Sequence, residues 1–251
     1  FNRHNEVNLN LGYLKAACQT DRVRGNLALM AGTYAEYNLA AESDVMQHVY
    51  EANAGFKVSK KHNLWIDAGV MPSHLGFESA EGRICWNLTR SMAADNSPYY
   101  EAGVKAGYTS PDERWYAAAM VLNGWQRIRR IDGNQTPAFG TQLTFKPNGN
   151  TTLNWSTFVG NEFPEGQERW RFFNNVYGVF QFSDAWGLTA GFDIGMQEKA
   201  GSATGADLWY TPILMGRYIA SERWRWAARV EYYSDKNDVI IGTNASHGFE
   251  V

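Results

Sequence analysis

Charged side chains recur at alternate positions along several stretches of this chain, and this spacing is where the residue types could do the most chemistry. Side chains two residues apart in an extended strand lie on the same face of a sheet. Acidic and basic groups on one wet face create an electric field that orients and filters polar solutes. We therefore predict a charged wall that lines a polar passage. Its acidic members are Glu36, Glu51, Asp67, Glu101, Asp193 and Glu231, and its basic members are Lys57, Lys105, Arg217 and Arg229.

The same charges also have a structural interpretation. Opposite charges on neighbouring strands can pair with each other and simply hold a wall together. This alternative stays open for each residue taken singly. For the whole set it is weaker, because so many charged groups could not be buried in a closed, dry core.

A second group of charged residues lies in the polar stretch 72–98, which separates two alternating segments. Loops longer than about 12–15 residues tend to be functional. We expect this stretch to fold inward and narrow the passage, with Arg83 and Arg90 facing Glu78 and Glu81. The alternative is an ordinary surface loop that lies over the rim.

Sequence motifs for catalysis and metal binding are weak. The five histidines do not have the spacing that zinc sites use, and no nucleophile elbow, phosphate loop or dinucleotide fingerprint occurs. Ser73-His74 and Ser246-His247 are adjacent in sequence, but adjacency does not create nucleophile–base geometry. We therefore expect no enzyme activity, no cofactor and no metal site, and a hydrolase mounted on this scaffold is the less favoured alternative.

The charged positions belong to segments of about ten residues in which apolar and polar side chains alternate. A period of two predicts β-strands, and charges on the second face exclude a dry core. The pattern is typical of a transmembrane antiparallel β-barrel, whose apolar face meets lipid while its polar face lines a wet lumen. In one clear example Tyr100, Ala102, Val104, Ala106 and Tyr108 alternate with Glu101, Gly103, Lys105 and Gly107.

About twelve strands follow from this alternation, and the connections between them alternate in length. Tight turns at one rim and long polar loops at the other are typical of up-and-down outer-membrane barrels. In a soluble β-sandwich, nothing favours this alternation of short and long connections through every hairpin. The predicted strands are 6–17, 26–41, 49–59, 64–71, 99–109, 115–126, 139–147, 150–160, 170–182, 186–199, 207–220 and 224–234.

Length and composition fit this class. The 251 residues suit one barrel domain over 1–251. Mean hydropathy is -0.44, and no run of about 18 apolar residues could form a spanning helix. The 10 Trp and 13 Tyr residues cluster near predicted strand ends, where aromatic girdles lie in such barrels, although a β-sandwich core would also use them. The formal net charge of -3 means that the chain lacks the excess of basic residues that is typical of nucleic-acid-binding proteins.

Three arginines follow a predicted strand end at the outer rim: Arg127, Arg129 and Arg130. Guanidinium groups bind phosphates through paired hydrogen bonds and attract anions from a distance. The cluster could therefore contact lipopolysaccharide phosphates or attract anionic solutes. A solvated rim without a ligand is an equally good explanation.

Three sequence blocks resemble a known family. They are PSHLGFESAEG at 72–82, NLTRSMAADNSPYYEAGVKAGY at 87–108 and LNGWQRI at 122–128. Together with Arg171-Phe172-Phe173 and the run from Arg229 to Asp235, they resemble the putative β-barrel porin-2 family, which is described as OmpL-like. The resemblance spans most of the chain. It implies a location in the outer membrane of a Gram-negative bacterium and a porin role, and it brings no catalytic residues with it.

The final residues depart from the usual form of such barrels, which end in a strand with a terminal aromatic residue. Gly248 to Val251 resemble the beginning of a thirteenth strand. Bacterial barrels have an even number of strands and leave no free edge in lipid. We therefore expect either further strands beyond those visible here or a strand count that is off by one, and Val251 need not be the true C-terminus.

The sequence thus predicts a porin that allows small hydrophilic solutes or ions to diffuse passively through a polar lumen. Its expected partners are outer-membrane lipid, lipopolysaccharide and those solutes, with no nucleic acid. A homo-oligomer or membership of a larger outer-membrane complex is consistent with the chain. The main alternative is a plugged barrel that is a structural or accessory component of such a complex.

Overall fold

The computed structural model describes residues 5–201 and 205–242 in full and the backbone of 247–250. It contains one antiparallel sheet whose strands are hydrogen-bonded in chain order. Two short helices, α1 (Thr33–Asn38) and α2 (Met92–Asp95), lie in connections. The strands are β1 (Gly12–Gln19), β2 (Val23–Ala31), β3 (Val49–Lys57), β4 (Asn63–Pro72), β5 (Tyr100–Thr109), β6 (Trp115–Leu122), β7 (Ala138–Asn148), β8 (Thr151–Asn161), β9 (Trp170–Gln181), β10 (Trp186–Glu198), β11 (Ala206–Ile219), β12 (Arg225–Asp235) and β13 (His247–Glu250).

The two faces of the sheet differ as the alternation predicts. In β8, Asn154 and Ser156 are buried on the inner face, whereas Leu153 and Trp155 are 40% and 50% exposed on the outer face. A soluble domain would bury the apolar set, so this inverted arrangement indicates a sheet whose outer surface meets lipid. The predicted all-β, antiparallel, up-and-down architecture is confirmed.

Connection lengths also alternate as predicted. Short connections such as 110–114 and 182–185 lie at one rim, and long ones such as 73–99 and 123–137 lie at the other, which we call the loop rim. In the part of the chain that the structure describes, β1 and β13 are the two edge strands, and no hydrogen-bonded ladder joins them.

One predicted strand, 26–41, is wrong beyond its first half. β2 ends at Ala31, because Gly32 adopts a φ of 119°, a conformation that suits glycine. The chain then forms α1, which buries Tyr34 against Met30. Glu36 therefore lies exposed on a helix of the loop rim, and its prediction as a wall residue of a strand is corrected.

β6 also ends earlier than predicted, at Leu122 rather than 126. Gly124 and Gln126 take positive φ angles of 144° and 55°, so the backbone turns and directs Trp125 against Phe158 of β8.

Among the described residues, no helix is long and apolar enough to cross a membrane. The expected start of a thirteenth strand is present as β13, while Ser246 and Val251 lie outside the described residues.

Candidate functional site

The long connection 73–99, here called the inserted loop, lies against the inner face of the sheet. The backbone N–H of Gly76 donates to Asn175 Oδ1 of β9 at 3.1 Å, and that of Met92 donates to Glu231 Oε2 of β12 at 2.8 Å. On the opposite side, the Tyr13 hydroxyl of β1 donates to Glu81 Oε1 at 2.6 Å. Because strands from both ends of the sheet contact one loop, the sheet curves around it.

His74 fixes the start of this loop between two strands. Its Nδ1 lies 2.8 Å from Glu101 Oε2 of β5, and its Nε2 lies 2.7 Å from the Thr157 carbonyl oxygen of β8. Both partners are acceptors, so both ring nitrogens donate only when the imidazole is protonated. Ser156 Oγ adds a third bond by donating to the His74 carbonyl oxygen at 2.8 Å.

The protonation of His74 reflects two opposing effects. Burial lowers its pKa, since a charged ring loses hydration, whereas the Glu101 carboxylate and the Thr157 carbonyl raise it. The net direction is upward from 6.5. The loop is attached to the wall by this buried His74–Glu101 pair, in which the His74 side chain is only 3% exposed.

The second half of the loop is held by a cap and by β12. Ser91 Oγ accepts from the Ala94 N–H at 3.1 Å and so caps α2. Glu78 Oε2 accepts from the Ser91 N–H at 2.9 Å and also from the Ser91 hydroxyl. Arg229 of β12 donates to the Thr89 carbonyl oxygen at 2.7 Å. Burial raises the pKa of Glu78.

Glycines on the inner face of β10 make room for aromatic rings of the loop. A Cβ at Gly187 would lie 3.0 Å from Trp86 Cη2, and one at Gly191 would lie 2.9 Å from Phe77 Cε1. Gly195, four residues further on, lies against the ring of Trp209 in the same way. Sequence reasoning missed this feature, although the repeat of glycine at every fourth position of one strand was a readable signal.

The predicted pairing of charges within the loop is partly observed. Arg83 Nε lies 3.2 Å from Glu81 Oε2, as expected, and both belong to the inserted loop. Arg90 does not face Glu78 or Glu81. It donates instead to the Ala80 carbonyl oxygen at 3.2 Å and lies 3.4 Å from Asp95 Oδ1.

The cause is local packing of Arg90. Its guanidinium group lies over the ring of Tyr99, 5.4 Å from the centroid, and this position favours Asp95 at the end of α2.

On the β1–β5 side, predicted wall residues pair with cations that we had not singled out. Lys15 Nζ lies 2.5 Å from Glu51 Oε2. Arg24 binds Asp67 through two bonds, Nε to Oδ1 at 2.6 Å and Nη2 to Oδ2 at 2.5 Å. Lys105 stands opposite Asp67 in the β4–β5 register. Here cross-strand pairing, the alternative interpretation, describes the observed contacts.

The wall residues of β10 to β12 are held by amide partners and by an ion pair within one strand. Asp193 accepts from Asn175 Nδ2 at 2.6 Å, and Arg229 Nε lies 2.7 Å from Glu231 Oε1. Arg217 donates to Gln181 Oε1 at 2.9 Å. Apart from Glu36, every predicted wall residue lies on a strand: Glu51, Lys57, Asp67, Glu101, Lys105, Asp193, Arg217, Arg229 and Glu231.

The three rim arginines have local partners. Arg127 Nε lies 3.9 Å from Glu162 Oε2, and Arg129 Nη2 lies 2.5 Å from Asp132 Oδ1. Arg130 Nη1 donates to the Gln135 carbonyl oxygen at 3.0 Å. All three arginines thus lie at the loop rim, as predicted. Each has a polar partner in the connections of that rim.

An aromatic cluster fills the inner face near the loop rim, and the alternation did not predict it. The rings of Phe158, Phe173 and Trp209 are almost fully buried and surround Trp125. Arg171 lies beside this cluster, 5.0 Å from the Trp125 ring centroid, and donates two bonds to Gln197 Oε1. These side chains narrow the lumen on the β8–β11 side.

Open space remains on the other side of the inserted loop. A cavity of about 780 Å³ lies between the N-terminal segment, α1 and the loop. Its lining is largely polar and includes Asn8, Asn10, Asn38, Thr89 and Arg90. Within the residues that the structure describes, no cluster of His, Cys, Asp and Glu could hold a metal ion.

Comparisons with known proteins agree with this architecture. A family model described as "Putative beta-barrel porin-2, OmpL-like" matches residues 1–251. In-vitro folded OmpT, an outer membrane protein of Vibrio cholerae, has a TM-score of 0.50 at 11% identity, over 89% of this chain and 78% of that chain. The trimer form of OmpT gives 0.51 at 12% identity, over 96% and 85%. At such identities the likeness concerns the fold. No curated protein sequence matches.

Proposed function

The chain belongs to the putative β-barrel porin-2, OmpL-like family, and from this premise we propose that it is a bacterial outer-membrane porin through which small hydrophilic solutes or ions diffuse passively. The apolar outer face of the sheet would meet membrane lipid, and the arginines at the loop rim would meet lipopolysaccharide. Diffusion through such a passage needs polar groups of suitable spacing and no chemical step.

The observation that carries this proposal is the polar space beside the inserted loop. The cavity of about 780 Å³ opens among asparagine, threonine and arginine side chains. Such groups replace part of the hydration shell of a solute, so they lower the cost of moving it through a membrane. Further along the inner face, charged pairs such as Arg24–Asp67 add polar groups to the wall.

The inserted loop would act as the constriction of this passage. It contacts β1, β5, β8, β9 and β12, so it crosses the space that the sheet encloses. The His74–Glu101 pair and the Arg229–Thr89 bond attach it at two places. We propose that this attachment, together with the wall charges, sets the size and charge of the solutes that pass.

We further propose that the protein is not an enzyme. The Ser73-His74 pair, the best candidate for a nucleophile and its base, lacks the required geometry, because both ring nitrogens of His74 bind other acceptors. Ser73 Oγ meanwhile accepts from the Leu75 N–H at 3.1 Å. Hydrolysis of a model ester that is lost in a Ser73→Ala variant would contradict this.

A plugged barrel is the second candidate function, favoured by the aromatic cluster around Trp125. Rings that fill one side of the lumen resemble a packed core more than a channel wall. In that case the protein would be a structural or accessory component of a larger outer-membrane complex. It would copurify with another chain and would not admit solutes.

Solute entry into liposomes distinguishes the two candidates. Folded protein is reconstituted into vesicles, and swelling is followed in isotonic solutions of arabinose, glucose, sucrose and raffinose. A porin gives swelling rates that fall as the solute becomes larger. Vesicles that hold demonstrably folded protein and stay as tight as protein-free vesicles would contradict the proposal and favour the plugged barrel.

A further inference from the structure

A group of cationic side chains lies on the inner face of the sheet where the strands approach the short turns. Phe56, Val104 and Trp226, each next to one of these cations in the chain, are 54%, 46% and 60% exposed on the outer face. Because successive side chains of a strand point to opposite faces, the cations face the lumen. We call them the mouth cations: Arg24, Lys57, Lys105, Arg217 and Arg225.

One carboxylate, that of Asp67, lies among the mouth cations. It accepts two bonds from Arg24, and Lys105 stands opposite it in the β4–β5 register. Two cations thus share a single carboxylate, so these three residues together keep one positive charge.

The other three mouth cations have no carboxylate partner in the part of the chain that the structure describes. Arg217 donates to the amide oxygen of Gln181 and lies over the ring of Trp86, 4.5 Å from its centroid. The side chains of Lys57 and Arg225 form no ion pair with a described residue. The mouth cations and Asp67 therefore have an excess of four positive charges.

The short turns themselves do not offset this excess. All their charged side chains are exposed, so water and salt screen them. They comprise five cations and five carboxylates: Arg22, Lys60, Lys61, Arg114 and Arg223, against Asp21, Asp112, Glu113, Asp184 and Glu222.

Carboxylates of the lumen nearer to the loop rim are compensated locally. Glu78 and Asp193 are held by Ser91 and Asn175, where the inserted loop packs on the sheet. Five others have a cation beside them, in the pairs Lys15–Glu51, His74–Glu101, Arg83–Glu81, Arg90–Asp95 and Arg229–Glu231. The uncompensated charge of the inner face is thus positive and lies near the short turns.

We propose that the mouth cations make the passage selective for small anions. Lysine and arginine side chains around a pore attract anions, replace part of their hydration shell and repel cations. The inference rests on the proposed function, since an ion meets the mouth cations only in an open lumen. It gives that passage a class of preferred solute.

The reversal potential of the folded full chain in a planar bilayer, under a tenfold gradient of KCl, measures this preference. Chloride should be several-fold more permeant than potassium. The preference should be strong in dilute salt and weaker near 1 M KCl, because the Debye length falls from about 10 Å at 0.1 M to about 3 Å at 1 M.

Matched double variants locate the charges responsible. Lys57→Gln/Arg225→Gln removes two of the four excess charges, so the ratio of chloride to potassium permeability should fall towards one. Lys60→Gln/Arg223→Gln removes the same charge from exposed turns a few residues away and should keep the parent ratio. Equal falls in the two variants, or a parent ratio of one or less, would overturn the inference.

Entry of neutral sugars into vesicles, measured on the same preparation, separates this outcome from that of the porin proposal. A protein that admits sugars but does not prefer chloride would retain the porin and remove the anion selectivity. A folded protein that admits neither sugars nor ions would contradict both.

Discussion

His74 Nδ1 lies 2.8 Å from Glu101 Oε2, and this contact attaches the inserted loop to the barrel wall. The opposite ring nitrogen of His74 donates to the Thr157 carbonyl oxygen of another strand. The imidazole of His74 thus joins the loop, β5 and β8, and this anchor of the loop is strongest when the ring is protonated.

Conductance should rise at alkaline pH. The pKa of His74 is raised in the folded protein, so the attachment is complete below 6.5 and is lost as pH rises through the raised value. A neutral ring has one N–H, which leaves either Glu101 or Thr157 without a donor. Hydrogen bonds to charged groups contribute about 1.5–3 kcal/mol, so the fraction of molecules with a released loop should rise at least about tenfold. Bilayer recordings between pH 6 and 9 measure this.

Histidine variants identify the group responsible. His74→Asn should give the alkaline conductance at every pH. His62→Gln, in the exposed connection between β3 and β4, is the matched control and should keep the pH dependence. A pH response that persists in His74→Asn would show that another group governs the loop.

The partner of His74 should set the pH at which this change occurs. Glu101 is fully buried, and its negative charge favours the imidazolium form. In Glu101→Gln the burial of the ring acts unopposed by that charge, so the pKa of His74 falls. The conductance change should move to lower pH, as recorded in the same bilayer series. An unchanged midpoint would contradict the pairing.

A side chain at Gly191 should release the loop from β10. A Cβ there would lie 2.9 Å from Phe77 Cε1, so the ring must leave the wall. Gly191→Val should keep the barrel folded but make the inserted loop sensitive to added protease. Gly216→Val is the control, since nothing lies within 4 Å of a Cβ at Gly216. Equal protease resistance of the two variants would contradict docking of the loop on these glycines.

Ion preference should depend on the balance between Arg24 and Asp67. These side chains neutralise each other across two bonds. Arg24→Gln removes one positive charge and leaves Lys105 as the cation opposite Asp67, so the passage should attract cations more strongly, whereas the double variant Arg24→Gln/Asp67→Asn should return to the parent value. The reversal potential in a tenfold salt gradient reports this. Single and double variants with the same reversal potential would place the pair outside the ion path.

The fold followed from the sequence because its signal is local. Alternation within β5 or β8 and the turn residues between strands specify faces and connections without knowledge of distant contacts. The prediction failed at Gly32, where a single positive φ replaced a strand by a helix and moved Glu36 to the loop rim. The alternation of apolar and polar residues does not by itself predict such a change of backbone direction.

The contents of the lumen were much harder to predict. The bond between His74 and Thr157 joins positions 83 residues apart, and that between Arg229 and Thr89 spans 140 residues. Such pairs depend on how the sheet curves, which no local pattern specifies. The insertion of the stretch 72–98 could be expected from its length, but its anchors could not.

Single-channel conductance of a loop-shortened protein tests the central claim most directly. The segment 76–90 is replaced by a short Gly-Ser linker, which leaves His74 and α2 in place, and both proteins are recorded in planar bilayers at the same salt concentration and pH. If the inserted loop is the constriction of an open polar passage, the parent protein gives discrete steps and the shortened protein gives larger ones. Equal steps would contradict the constriction, and silence from both folded proteins would contradict the porin.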